Sequence, residues 1–200
     1  MLVFVVVLAA IVAVMAPFLA GYGLLVPIAA LYVAALVALA IAVLPMGRRA
    51  LPALAVSGAG WKPLVFGPLA TIALSVAVSQ LAPELDSMKQ LAELVQSPGR
   101  LLPSLFVFAV MAPLAEELVF RGLLYGWIEG RWGWRPAFAV SAITFAAAHF
   151  DPTFVYMIVV LPLGLLFSWL RWRTSSLLPS LAAHMANNAF AVLSAAWLGS

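Results

Sequence analysis

Long apolar runs, broken at short intervals by Gly, Pro and a few charges, fill the chain from one end to the other. Seven of them, at about 2–20, 24–45, 63–82, 102–127, 135–150, 153–170 and 177–198, approach or reach the length that crosses a hydrocarbon layer roughly 30 Å thick as helix. No stretch alternates apolar and polar residues around short turns, so a β-barrel is not expected. Helices are the other arrangement in which a backbone satisfies its own N–H and C=O groups in lipid. The pattern predicts an all-α, polytopic transmembrane bundle, with residues 1–200 forming a single membrane domain. One segment differs: between Pro83 and Arg100, the residues Met88, Leu91, Ala92 and Val95 recur at i, i+3, i+4 and i+7. Asp86 or Ser87 is available as its N-cap and Ser97-Pro98-Gly99 as its stop, which predicts a short amphipathic helix lying on the membrane surface, where a lid over a substrate path is one available role.

Composition fixes the solvent. With 66% hydrophobic and 8% charged residues, the chain has too little polar surface to clothe a core in water, so it is expected to be an integral, multi-pass membrane protein with the lipid bilayer as its partner. The absence of cysteine excludes disulfides, a thiol nucleophile and a thiolate-ligated metal. Met1 to Ala20 has no basic leading region and is read as the first membrane helix rather than a removable signal. Under the seven-helix scheme Arg48, Arg49, Lys62, Arg131, Arg135, Arg171 and Arg173 fall on one side, against Lys89 and Arg100 with Glu84, Asp86, Glu93 and Asp151 on the other. The excess of basic residues in cytoplasmic loops then predicts a cytoplasmic N-terminus and an external C-terminus. Six of the seven tryptophans flank the proposed cytoplasmic boundary, as an interfacial belt does. The net charge of +3 is explained by this topology, and nothing suggests nucleic acid.

Ionisable residues inside the spans are few, and an ion at bilayer depth costs several kcal/mol unless it is paired or faces a polar cavity. They are Glu116, Glu117 and Arg121 on the fourth helix, His149 at the end of the fifth and His184 on the seventh. Glu117 and Arg121 are i and i+4, so they share a helix face and can neutralise each other as a structural pair. Glu116 lies about 100° around the helix, with Phe120 rather than a base four residues on, and is left free for chemistry. Phe145 with His149, and His184 with Asn188, are likewise stacked i, i+4 pairs, whereas Asn187 points away from Asn188. A carboxylate in a low-dielectric site can take a proton from water, and a neighbouring histidine can orient that water, as Glu116 with His149 would. Two donors on one face, His184 and Asn188, would meet the oxygen that gains negative charge as an amide is split.

Glu116-Glu117-x-x-x-Arg121, Phe145-x-x-x-His149 and His184-x-x-x-Asn188, in this order on successive hydrophobic helices, resemble the three motifs of the CPBP family of intramembrane proteases, which includes the CAAX prenyl endopeptidases and the bacterial Abi proteins. The resemblance spans about 116 to 188, and helices from about 102 to 198 correspond to the family core. It implies cleavage of a peptide bond in a membrane-proximal peptide or protein, with Glu116 and His149 activating water, Glu117 and Arg121 organising the site, and His184 and Asn188 stabilising the oxyanion. Members have also been described as metalloproteases, and that variant would take Glu116, His149 and His184 as zinc ligands. The chain has no His-Glu-x-x-His, which favours the metal-free route with no cofactor. Ser141 and Ser194 lack a Gly-x-Ser-x-Gly context and a histidine four residues away, so a serine nucleophile is disfavoured. Two readings from other classes stand beside proteolysis: a proton-coupled transporter, for which buried Glu and His are ordinary parts, and a non-catalytic immunity or scaffold protein.

Overall fold

A computed structural model describes residues 1–80 and 86–198, with the side chains of 86–88 and 198 left aside. Glu84, Pro83, the predicted Asp86 or Ser87 cap and the last residues of the predicted 63–82 span lie outside what is described. Among the described residues there is no strand, and eight helices carry the chain: α1 (Leu2–Leu19), α2 (Leu25–Val43), α3 (Trp61–Ser79), α4 (Asp86–Gln96), α5 (Leu101–Trp132), α6 (Trp134–Ala147), α7 (Val155–Thr174) and α8 (Leu178–Leu198). The all-α bundle and the amphipathic helix between the third and fourth long helices agree with the sequence pattern.

Among the described residues five helices are long and apolar enough to cross a membrane: α1, α2 with its continuation to Ala53, α3, α5 and α7. At 14 residues α6 rises about 21 Å, short of a full hydrocarbon layer. α8 has the length, 21 residues, but His184, Asn187 and Asn188 dilute its apolar character. Large apolar side chains such as Leu2, Phe18, Leu102 and Phe106 project outward, an arrangement stable only against lipid.

The connections are tight. Gly133, at φ +83°, breaks the chain between α5 and α6 in a single residue, a conformation that glycine adopts without a Cβ clash. α6 and α7 then pack so closely that a Cβ on Gly164 would stand 3.1 Å from the Ala142 carbonyl oxygen and from the Phe145 ring. At the start of α7 no capping comes from its own N-cap, Phe154; the Asp151 carboxylate does this work, accepting from the Thr153 and Tyr156 N–H groups at 3.1 and 3.0 Å and from the Thr153 hydroxyl. One end of the bundle is tied by the Leu177 N–H to the Ala55 carbonyl (2.9 Å) and the Ser176 hydroxyl to the Ser57 carbonyl (2.7 Å). At the other end, Gln96 of α4 donates to Ala195 of α8.

The irregularity of α5 sets up the site. It is α-helical over Ala112–Glu117 but widens into π-helical turns at Leu105–Met111 and Leu118–Leu124, a rare geometry that concentrates at functional sites. Carbonyls within these wide turns serve side chains of other helices: Phe108 accepts from Asn188 at 2.9 Å, Phe120 from the Ser141 hydroxyl at 2.9 Å and Arg121 from Arg171 at 3.2 Å. Carbonyls left open by a wide turn need internal partners within a membrane, and these side chains supply them. Ser141 is thus a backbone-bonded packing residue, consistent with its dismissal as a nucleophile.

Candidate active site

Glu117 and Arg121 are fully buried and bonded, Nη1 to Oε1 at 3.0 Å. The pair is single rather than bidentate, because the other guanidinium nitrogen donates to the Gly164 carbonyl oxygen at 2.9 Å. The guanidinium lies 4.2 Å over the centre of the Phe145 ring and 5.3 Å from that of Phe167, two members of the apolar core between α6, α7 and α8. Arg121 therefore pins α5 to α7, as a structural role requires.

His184 stands between the two glutamates. Its Nδ1 is 3.0 Å from Glu117 Oε1 and its Nε2 is 3.7 Å from Glu116 Oε2. An ionised Glu117, held by Arg121, can only accept, so Nδ1–H donates to it and Nε2 is the ring nitrogen turned toward Glu116. The ring is fixed by stacking on Phe167 (4.7 Å, 21°) and by the edge of Phe145 (5.5 Å, 86°).

Glu116 keeps 14% of its side-chain surface where Glu117 keeps none. Its Oε1 accepts from the Tyr32 hydroxyl at 2.9 Å, while its buried Oε2 has no hydrogen-bond partner among the described residues. At 3.7 Å the gap between Oε2 and His184 Nε2 is too wide for a direct bond, and when Nε2 carries no proton both atoms can accept from one water.

A cavity of about 630 Å³ adjoins this cluster, with His149, Tyr156, His184, Asn187 and Asn188 among its polar walls and Gln90, Leu91 and Leu94 of α4 over it. Glu116 stands behind His184, outside the immediate lining. His149 lies just past the end of α6, its Nδ1 2.8 Å from the Phe145 carbonyl and its ring 5.6 Å from that of Tyr156. The partner that stands against Glu116 is therefore His184, rather than the expected His149, which sits in the turn just past Ala147 with its ring 4.8 Å from that of Phe145. Asn188 donates to Phe108, and Asn187 approaches Asn188 Oδ1 at 3.5 Å.

Sequence reasoning missed two residues here. Tyr32 is a hydroxyl in an otherwise apolar span, which is a weak signal alone. Asn187 was set aside because it points away from Asn188, yet it is buried and lines the same cavity, with its Oδ1 lacking a partner. Among the described residues no group of three His, Asp or Glu side chains is placed to hold a metal ion, and this includes the alternative ligand set Glu116, His149 and His184.

Residues 98–190 match the family described as Type II CAAX prenyl endopeptidase Rce1-like, a segment that contains Glu116, Glu117, Arg121, His149, His184 and Asn188. This segment, a little under half of the chain, is thus similar to the CAAX endopeptidase domain of the CPBP family, a likeness that supports a membrane endopeptidase. Among curated proteins the chain is similar to "UPF0177 protein YxdF" of Lactococcus lactis, 26% identical over 131 residues that make up 64% of this chain and 71% of that one. It is also similar to "Putative membrane peptidase YdiL" of Bacillus subtilis, 25% identical over 89 residues, 44% of this chain and 36% of that protein. No solved structure matches.

Proposed function

We propose that this chain is an intramembrane endopeptidase that hydrolyses a membrane-proximal peptide or protein substrate with a water activated by Glu116 and no metal. The observation that carries the reading is the pair formed by Glu116 Oε2 and His184 Nε2, 3.7 Å apart, with His184 on the wall of a half-open, largely apolar cavity and Glu116 directly behind it. A water donating to both has its lone pair turned away from them. Its oxygen attacks the scissile carbonyl carbon as its proton passes to Glu116. The carbonyl oxygen becomes an oxyanion, met by the second N–H of Asn188, whose first is spent on Phe108, and by His149 through Nε2 when that nitrogen carries a proton. The C–N bond then breaks, and the proton held by Glu116 goes to the departing amine, leaving a carboxylic acid and a free amine. Glu117 and Arg121 take no proton and hold His184 in its orientation.

Purified protein in detergent, given a membrane-proximal peptide, tests the reading. Glu116→Gln is expected to lower kcat by about 100- to 10,000-fold, the range for loss of a general base. Asn188→Ala is expected to lose about 100- to 1,000-fold, as for one oxyanion donor. Phenanthroline should leave the rate unchanged; inhibition reversed by zinc would replace the metal-free route. Full activity of Glu116→Gln would end the assignment, and substrate-driven proton uptake into liposomes without cleavage would make the chain a carrier.

A further inference from the structure

We infer that Tyr32, on α2 and outside the 98–190 family match, is a positioning residue for Glu116, so that the amino-terminal helices complete a working site that the matched segment does not contain alone. The inference deepens the proteolysis reading and rests on it for its kinetic arm only. A carboxylate on a helix has two equivalent oxygens and rotatable bonds, so nothing in Glu116 itself decides which oxygen faces His184. The Tyr32 hydroxyl decides it: a phenol held 2.9 Å from Oε1 can only donate to an ionised carboxylate, and this leaves Oε2 as the oxygen turned to His184 Nε2. The two consequences are separate. The bond fixes the direction of the lone pair that takes the proton, and it occupies Oε1 so that a reacting water binds at one oxygen rather than either.

The contact is long-range, 84 residues apart in sequence, and α2 is brought to it by packing against the Ala112–Glu117 segment of α5. Glu117, the neighbouring carboxylate, is held instead by Arg121 and His184. Each glutamate therefore has its own anchor, and only that of Glu116 comes from the amino-terminal hairpin.

The test uses the full chain in detergent and the variant Tyr32→Phe, which keeps the ring and removes the donor. Infrared difference spectra assign the Glu116 carboxyl-stretch band as the one lost in Glu116→Gln. That band is expected to move in Tyr32→Phe and to stay fixed in the control Tyr22→Phe, whose side chain is exposed. With a cleaved peptide, kcat is expected to fall about 10- to 100-fold with KM within about twofold, the scale of one charge-assisted hydrogen bond made to the reacting group. An unmoved band overturns the inference. So does a moved band with an unchanged kcat, or a kcat loss that follows a fall in melting temperature. A wild-type chain that cleaves no peptide overturns the proteolysis reading instead, and the band still decides whether Tyr32 holds Glu116.

Discussion

At Glu117 and Arg121 two opposite charges share a dry interior, and the energetics of such a pair are asymmetric. Removing one partner leaves the other charged, buried and unanswered, which costs about 3–5 kcal/mol, whereas replacing both by apolar groups of similar volume is often close to neutral. Arg121→Met is therefore expected to lower thermal stability in detergent sharply, and Glu117→Leu to do the same. The double variant is expected to recover much of the stability. Its activity should stay lost, because His184 would no longer be oriented; recovery of both would make the pair irrelevant to the site. This pair was legible in the sequence because its two members are four residues apart on one helix. Tyr32 and Asn187 were not: the first depends on a partner 84 residues away, and the second was judged by its angle from Asn188 alone. α8 is packed against α3, α5 and α7, so more than one of its faces is interior, and an angle on the helix does not tell inside from outside.

Among the helices, apolar runs were enough to locate every long element, since lipid allows little else to a backbone. They were not enough to locate ends or irregular turns. α5 runs on to Trp132 past its expected end near 127, and its π-helical turns are selected by distant side chains that claim carbonyls at Phe108, Phe120 and Arg121. No local pattern carries that information. The start of α7 is open to a test by pH. Its capping carboxylate, Asp151, lies outside the spans, and the Thr153 hydroxyl followed by the Tyr156 and Thr153 amides holds it below the usual carboxylate range. A lowered folded pKa means that the stabilisation is fully present above the ordinary value and is lost as pH falls through the folded one. The protection factor of the Tyr156 amide is expected to be high at neutral pH and to fall only below about pH 4. Asp151→Ala, which removes the acceptor, should lower it at both; unchanged protection in that variant would show that the carboxylate does no capping.

Taken as a whole, the molecule has two chemically unlike ends. The end where Leu177 meets Ala55 and Ser176 meets Ser57 gathers Arg48, Arg49, Lys62, Arg131, Arg135, Arg171 and Arg173, with Arg171 bonded to Glu129 and Trp134 stacked on Trp172 at 4.4 Å. The opposite end holds α4, Asp151 and the cavity with His149 and Asn188. Cytoplasmic loops are enriched in Lys and Arg, so the basic end is expected to face the cytoplasm, which puts the N-terminus inside and opens the cavity toward the outer face. The chain has no cysteine of its own, so single cysteines report without background. Ser57→Cys, exposed at the basic end, is expected to react with an impermeant maleimide only after cells are broken, and Ser97→Cys, exposed just beyond α4, in intact cells. The reverse pattern would invert the topology and move the site of cleavage to the cytoplasmic side. It would leave the arrangement of Glu116, His184 and Tyr32 untouched, because those contacts are set by helix packing and not by the direction in which the bundle was inserted.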